Sequence, residues 1–162
     1  MSEHDSWCSP QVIADGLVEL FGGPVDLDPC SNGKSIIQAR KAYTRGGLIL
    51  PWAETTYANF PYSKGRVWVP KGLAELACGN VHELVLLSMF ATSTGWWRSM
   101  CEYEPINPRI LGLIRLEFID PTDRGRQVVC RFEPALTYFG PRTNQFTRAF
   151  SHVTMWATWG RS

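Results

Sequence analysis

Apolar positions along the chain recur at helical spacing in some stretches and form short unbroken runs in others. Val12, Ile13, Leu17, Leu20 and Phe21 share one helical face. Ser9-Pro10 ahead of them offers a capping hydroxyl and a residue suited to the first helical position, and Gly22-Gly23-Pro24 ends the pattern. Val25-Asp26-Leu27 predicts a short strand that runs into a turn-rich loop, Asp28-Pro29-Cys30-Ser31-Asn32-Gly33. A short helix is expected over 35–42, a strand over 55–58 and a helix over 66–78, with Pro70 early in it. Residues 82–89 contain Leu84-Val85-Leu86-Leu87, an unbroken apolar run that suits a strand covered on both faces. A helix capped by Thr94 follows over 94–103. Residues 109–118 are β-prone, 119–127 read as an exposed loop, and strands are expected over 128–132 and 135–139. A helix over 143–153 and a last strand over 154–158 complete the reading.

Strands alternating with helical stretches predict an α/β layered fold, a mainly parallel sheet flanked by helices. Ligands in such sheets bind at the carboxyl ends of the strands. Two polar loops, 28–33 and 59–63, each follow a predicted strand directly. A length of 162 residues fits one domain, here 1–162, with no room for a second.

Composition narrows the function. With 16 Lys and Arg against 15 Asp and Glu the formal charge is +1, far from that of a purely electrostatic nucleic-acid binder. The cysteines, Cys8, Cys30, Cys78, Cys101 and Cys130, form no CxxC pair, and the three histidines stand apart, so no metal site is expected. An odd set of scattered cysteines predicts reduced thiols. The polar, acidic start is unlike a signal peptide, and no apolar run approaches about 18 residues. The expectation is a cytoplasmic protein without a membrane span.

The sharpest chemical feature is Asn59-Phe60-Pro61-Tyr62-Ser63, which fits the pattern Asn/Asp/Ser-x-Pro-Tyr/Phe. An exocyclic amine on a π-system has a delocalised lone pair and is a poor nucleophile. Two acceptors aimed at its hydrogens, the Asn59 side-chain oxygen and the Phe60 carbonyl, localise that pair toward an electrophilic methyl group. Pro61 restrains the backbone of Phe60, and Tyr62 is placed to stack on a base. A strand ending in a Pro turn with Tyr62 in the core explains the same residues. Asp26 and Asp28, near the end of the first strand, suit the hydroxyl and amino groups of a nucleoside cofactor, or an Asx turn at Asp28-Pro29. No GxGxxG loop is present. Basic residues gather at Lys64, Arg66 and Lys71, and at Arg124, Arg126 and Arg131; solvated surface explains them equally.

Taken in order, Trp7-Cys8-Ser9-Pro10, Val25 through Asn32, Gly47-Leu48 with Trp52, Asn59 through Ser63, Trp68-Val69 with Lys71, Thr92 through Trp97, and Tyr138-Phe139-Gly140 with Phe146 and Phe150 resemble the small phage-type DNA N6-adenine methyltransferases. The resemblance runs from Trp7 to about Val153. It implies a Rossmann-like methyltransferase sheet, S-adenosylmethionine as donor, and adenine in DNA, flipped from the duplex, as acceptor. By position it assigns Trp7, Ser9, Pro10, Asp26, Asp28 and Asn59 to the donor pocket, and Asn59, Phe60, Pro61 and Tyr62 to the target base. DNA contacts are expected from Lys64, Arg66, Arg124 and Arg126 on short loops. The family's usual Pro at the second motif position is Phe60 here. The carbonyl is kept, the stiffening ring is lost, and a bulky side chain is expected beside the site. A degenerate fold that binds DNA or protein without catalysis, a methyltransferase for protein amides, and a plain structural protein are the other readings.

Overall fold

The computed structural model describes residues 7–123 and 126–158. Four α-helices, α1 (Gln11–Phe21), α2 (Gly65–Ala77), α3 (Gly95–Cys101) and α4 (Thr143–Ala149), accompany nine strands. These are β1 (Val25–Asp28), β2 (Ala39–Ala42), β3 (Thr55–Asn59), β4 (Glu83–Met89), β5 (Arg109–Leu113), β6 (Glu117–Ile119), β7 (Gln127–Val129), β8 (Pro134–Phe139) and β9 (Thr154–Thr158). Seven strands form one sheet in the order β2-β1-β3-β4-β8-β5-β9, and β6 pairs with β7 in a separate hairpin.

Half of this sheet is parallel rather than most of it. The β1–β2, β1–β3 and β3–β4 pairs are parallel, whereas β8 runs against both β4 and β5, and β9 against β5. The cause is the connection. β3 reaches β4 through α2, the long crossover that parallel strands require. β5 reaches β8 through the β6–β7 hairpin with no crossover helix, and β8 enters reversed.

The alternating apolar run of β4 feeds two cores. Leu84 and Leu86 face α2 and α3 with Val69, Leu76, Trp97 and Met100. Val85 and Leu87 face α1 and α4 with Leu17, Phe146 and Phe150. Helices therefore cover both faces of the sheet, as the unbroken apolar run requires.

Local signals account for the helix ends. Gly22, at φ 72°, closes α1 by donating to the Val18 carbonyl at 2.8 Å. The Thr94 hydroxyl accepts from Trp97 N–H at the start of α3. Ser9 does not cap α1. Pro10 takes the N-cap position, and the Ser9 hydroxyl is bound elsewhere.

Three further expectations change. Residues 35–42 do not form a helix. The Ser35 hydroxyl takes Ile37 N–H, the Gln38 carbonyl accepts from Val25 N–H, and 39–42 pair with β1 as an edge strand. The β-prone stretch 109–118 is two strands with a break after Leu113, and the register with β9 shifts between Gly112 and Leu113. The helix over 143–153 stops at Ala149 and continues as a 3-10 turn, Ser151–Val153.

Where α1 crosses α4, a Cβ on Gly16 would lie 2.2 Å from the Phe150 ring. Gly16→Ala therefore overpacks this crossing and costs about 1–3 kcal/mol. Thermal unfolding should show a melting temperature lower by roughly 3–10 °C.

Candidate active site

The chain reverses direction across the sheet at β1. It steps to β2 on one side and then to β3 on the other, so the carboxyl ends of β1 and β3 flank a topological switch point. Asp28 is the last residue of β1 and Asn59 the last of β3. Both line a narrow cleft of about 30 Å³, with Trp7, Ser9, Cys30 and Asn32. Cys8 and Ser35 line this cleft and also a neighbouring cavity of about 300 Å³ bounded by Lys34 and Ile119, so the two are adjacent.

The N-terminal segment forms one wall. Cys8 bridges Ile119 of β6, each backbone N–H donating to the other's carbonyl at 3.0 and 3.1 Å. The Ser9 hydroxyl meets the Tyr57 hydroxyl at 2.6 Å, tying the segment to β3. Asn59 donates its side-chain amide to the Trp7 carbonyl at 3.1 Å. That bond orients the amide and leaves Oδ1 as an acceptor at the cleft.

Asp28 is buried and accepts from Cys30 N–H at 3.1 Å. Burial raises its pKa to about 6, against hydrogen bonds from Cys30 and Ser35 that lower it. Burial, with the Asp28 carboxylate adding to it, also pushes the Cys30 thiol up. Tyr57 is raised well above the ordinary tyrosine value by burial, so its hydroxyl stays neutral. A buried carboxyl whose pKa is raised by burial and which lines a polar cleft is a candidate functional group.

The other expected residues fall differently. Asp26 does not line the cleft. Its carboxylate accepts from Thr55 N–H (3.1 Å) and Thr55 Oγ1 (2.8 Å) and pairs with Arg40 at 3.2 Å. Alternation along β1 places Asp26 two residues before the strand end, and β3 runs close enough to claim it. Pro10 is buried at the α1 N-cap and lines no part of the cleft.

Phe60 is 1% exposed and packs edge-on against Trp96 and Tyr62, within the core under α2 and α3. Its ring therefore puts no bulk at the cleft. Pro61 sits at φ −55° and leads into a 3-10 turn, Tyr62–Lys64. Tyr62 points into the opposite core, 7% exposed, with Phe118 and Phe132 against it edge-on. Its hydroxyl has no hydrogen-bond partner. This is the packed tyrosine of the structural alternative, and the ring lacks a free face for a base.

Lys64 and Arg66 are exposed at the start of α2. Arg126 is exposed beyond Asp123, whose carbonyl accepts its N–H, and Arg124 lies outside the described residues. Of the cleft residues, the sequence assigned Trp7, Ser9, Asp28 and Asn59 to the site but not Cys8, Cys30, Ser31, Asn32 or Ser35. The available signal for Asn32 was its place in a polar loop directly after a strand. Among the described residues no group of three or more His, Cys, Asp or Glu is arranged to hold a metal, and no helix is long and apolar enough to cross a membrane. All five cysteines are free.

A polar cleft at a switch point, with an amide on one strand end and a carboxyl on the next, lies where α/β sheets of this kind hold their ligands. The sequence model of the family described as DNA N-6-adenine-methyltransferase (Dam) matches residues 1–157, and the chain belongs to that family. A comparison with curated proteins gives no match.

The raised Asp28 has a definite consequence for stability. The fold favours the neutral acid, so the contribution is greatest below about pH 4 and is lost as pH rises through about 6, a change of roughly 3 kcal/mol. Glu75, whose pKa is lowered, acts in the opposite sense as pH falls. The difference between wild type and Asp28→Asn isolates the effect. Relative to wild type, the variant should gain stability between pH 4 and 7 in denaturant titrations; a pH-independent difference rejects the assignment.

Proposed function

We propose that this protein transfers a methyl group from S-adenosylmethionine to N6 of adenine in DNA, within a Rossmann-like domain. The observation that carries the reading is the pairing of Asn59 and Asp28 across one cleft at the β1/β3 switch point. Membership of the family supports adenine N6 as the acceptor.

The cleft and the cavity beside it offer partners for a nucleoside bearing a cationic chain. Asp28 faces the charge, Ser9, Asn32 and Ser35 offer hydroxyl and amide partners, and the cavity beside Lys34 and Ile119 extends the space. S-adenosylmethionine supplies a methyl group already activated on a sulfonium. The remaining work is orientation and electrostatics.

Asn59 Oδ1 and the Phe60 carbonyl accept the two N6 hydrogens and turn the lone pair out of conjugation. They also stabilise the positive charge that grows on N6 as its bond to the methyl carbon forms. A proton then leaves N6 to water, so no strong base is required. A stacked adenine is out of reach, and the target must turn out of the duplex. Tyr62 reaches such a base only if Phe118 and Phe132 move aside. The Phe60 carbonyl serves as acceptor whatever its side chain, which packs away from the cleft.

Asn59→Ala should abolish methylation while the donor still raises the melting temperature, as a native-state ligand does. The measurement is tritium transfer from labelled S-adenosylmethionine to mixed DNA, followed by nucleoside separation. Label on cytosine, or on protein amides, rejects the substrate assignment. Donor and DNA binding by the native chain without transfer identifies a binding module.

A further inference from the structure

Loop 43–50 leaves β2 at the sheet edge that carries the cleft, and it is built stiff. Tyr43 N–H donates to the Asp28 carbonyl at 2.8 Å. Gly46 lies at φ 78°, which only glycine adopts freely, and its carbonyl accepts from Ile49 N–H (2.9 Å) and Leu50 N–H (2.8 Å). Gly47 sits so close to the loop after β1 that a Cβ would fall 1.8 Å from the Pro29 carbonyl oxygen and 3.0 Å from Trp68. The Gly47 carbonyl accepts the Trp52 indole N–H at 2.7 Å, and the Tyr43 hydroxyl donates to the Pro51 carbonyl at 2.8 Å.

This braced turn presents Leu48, Ile49 and Leu50 to solvent, 41%, 84% and 41% exposed. Ile49 is the most exposed large apolar side chain among the described residues. Single exposed apolar residues are ordinary, but three in succession on a rigid turn point to a partner.

The charge around them names its kind. Between residues 29 and 74 the chain carries seven Lys and Arg and one acidic residue, Glu54, although the whole chain is only +1. Lys41 and Arg45 lie just before the turn and are exposed. Lys64 and Arg66 begin α2 beside Trp68, on which Gly47 packs. Glu54 is at the opposite edge, ahead of β3 and facing His82 at 3.8 Å. The loop at 119–127, by contrast, balances Arg124 and Arg126 with Asp120 and Asp123.

We propose that Leu48-Ile49-Leu50 is a wedge that enters the DNA duplex beside the target adenine, Ile49 leading, and holds open the gap left when the base turns out. The proposal rests on the methyltransferase reading above. β2 and β3 flank β1, so this loop and Asn59 leave the sheet edge two strand spacings apart, about 10 Å, within the width of one duplex. Leu and Ile are side chains that insert between base steps, and the surrounding cations neutralise the phosphates on either side.

The test compares the native chain with Ile49→Ser, whose melting temperature should be unchanged because the side chain is exposed. Methylation of a duplex should fall about tenfold or more. Methylation of single strands, or of adenine opposite an abasic site, should change by less than about threefold, because no stacked pair need be opened there. An equal loss on every substrate, or no loss, overturns the wedge and leaves the methyltransferase reading standing. A second readout is independent of transfer. With 2-aminopurine at the target position, the native chain should raise duplex fluorescence and Ile49→Ser should not. That result in a chain that transfers no methyl group keeps the wedge and rejects the methyltransferase reading. No rise with the native chain overturns the wedge. Binding to phosphatidylserine vesicles that is lost in Ile49→Ser, with duplex behaviour unchanged, assigns the loop to a membrane instead.

Discussion

One carboxylate sets the geometry on which the site depends. Asp26 N–H donates to Thr55 Oγ1 at 2.9 Å, while the Asp26 carboxylate accepts from the Thr55 hydroxyl and backbone N–H and pairs with Arg40. Three strands, β2, β1 and β3, are thereby joined at a single residue. The β1–β3 ladder is short, with Leu27 opposite Thr56 as its register pair. These side-chain bonds hold that register where few backbone bonds are available. A slip of one residue would turn Asn59 and Asp28 to the wrong faces.

The motif beyond that clamp is held from both sides of the sheet. Phe60 enters the core under α2 and α3, and Tyr62 enters the core under α1 and α4. Between them the backbone of 59–61 has little freedom, which is what two converging acceptors need. Tyr62 also ties the motif to the β6–β7 hairpin through Phe118, and Trp7 packs on the same ring at 5.9 Å. The N-terminal segment, the hairpin and the motif thus form one packed unit around the cleft. A further brace lies at the far edge, where Arg142 bonds Glu83 and the Leu20 carbonyl, and the Tyr138 hydroxyl bonds Glu83.

Net charge alone concealed the electrostatic design. The basic excess lies in the third of the chain that builds β2, β1, β3 and α2, where seven Lys and Arg stand against four Asp and Glu, and the remainder is acidic. A protein with almost no net charge can therefore offer phosphates a positive face at the edge where the cleft opens. Arg40 is partly neutralised by Asp26 and Lys71 by Glu75, so the exposed cations there are chiefly Lys34, Lys41, Arg45, Lys64 and Arg66.

The sequence by itself determined the helix limits at Gly22 and Thr94, the doubly covered β4, and the placing of Asp28 and Asn59 at strand ends. Each of these rests on local chemistry: a left-handed glycine, a capping hydroxyl, an unbroken apolar run, a polar loop after a strand. Tertiary structure decided what depends on partners distant in sequence. It made 39–42 an edge strand through β1, reversed β8 for want of a crossover helix, and drew Asp26 to Thr55 and Arg40. It also sent Phe60 and Tyr62 into opposite cores, because residues two apart face the same side only in a regular strand, and Pro61 ends that regularity. Side-chain type announces what chemistry a residue can do. Only packing decides whether that side chain faces the cleft or the core.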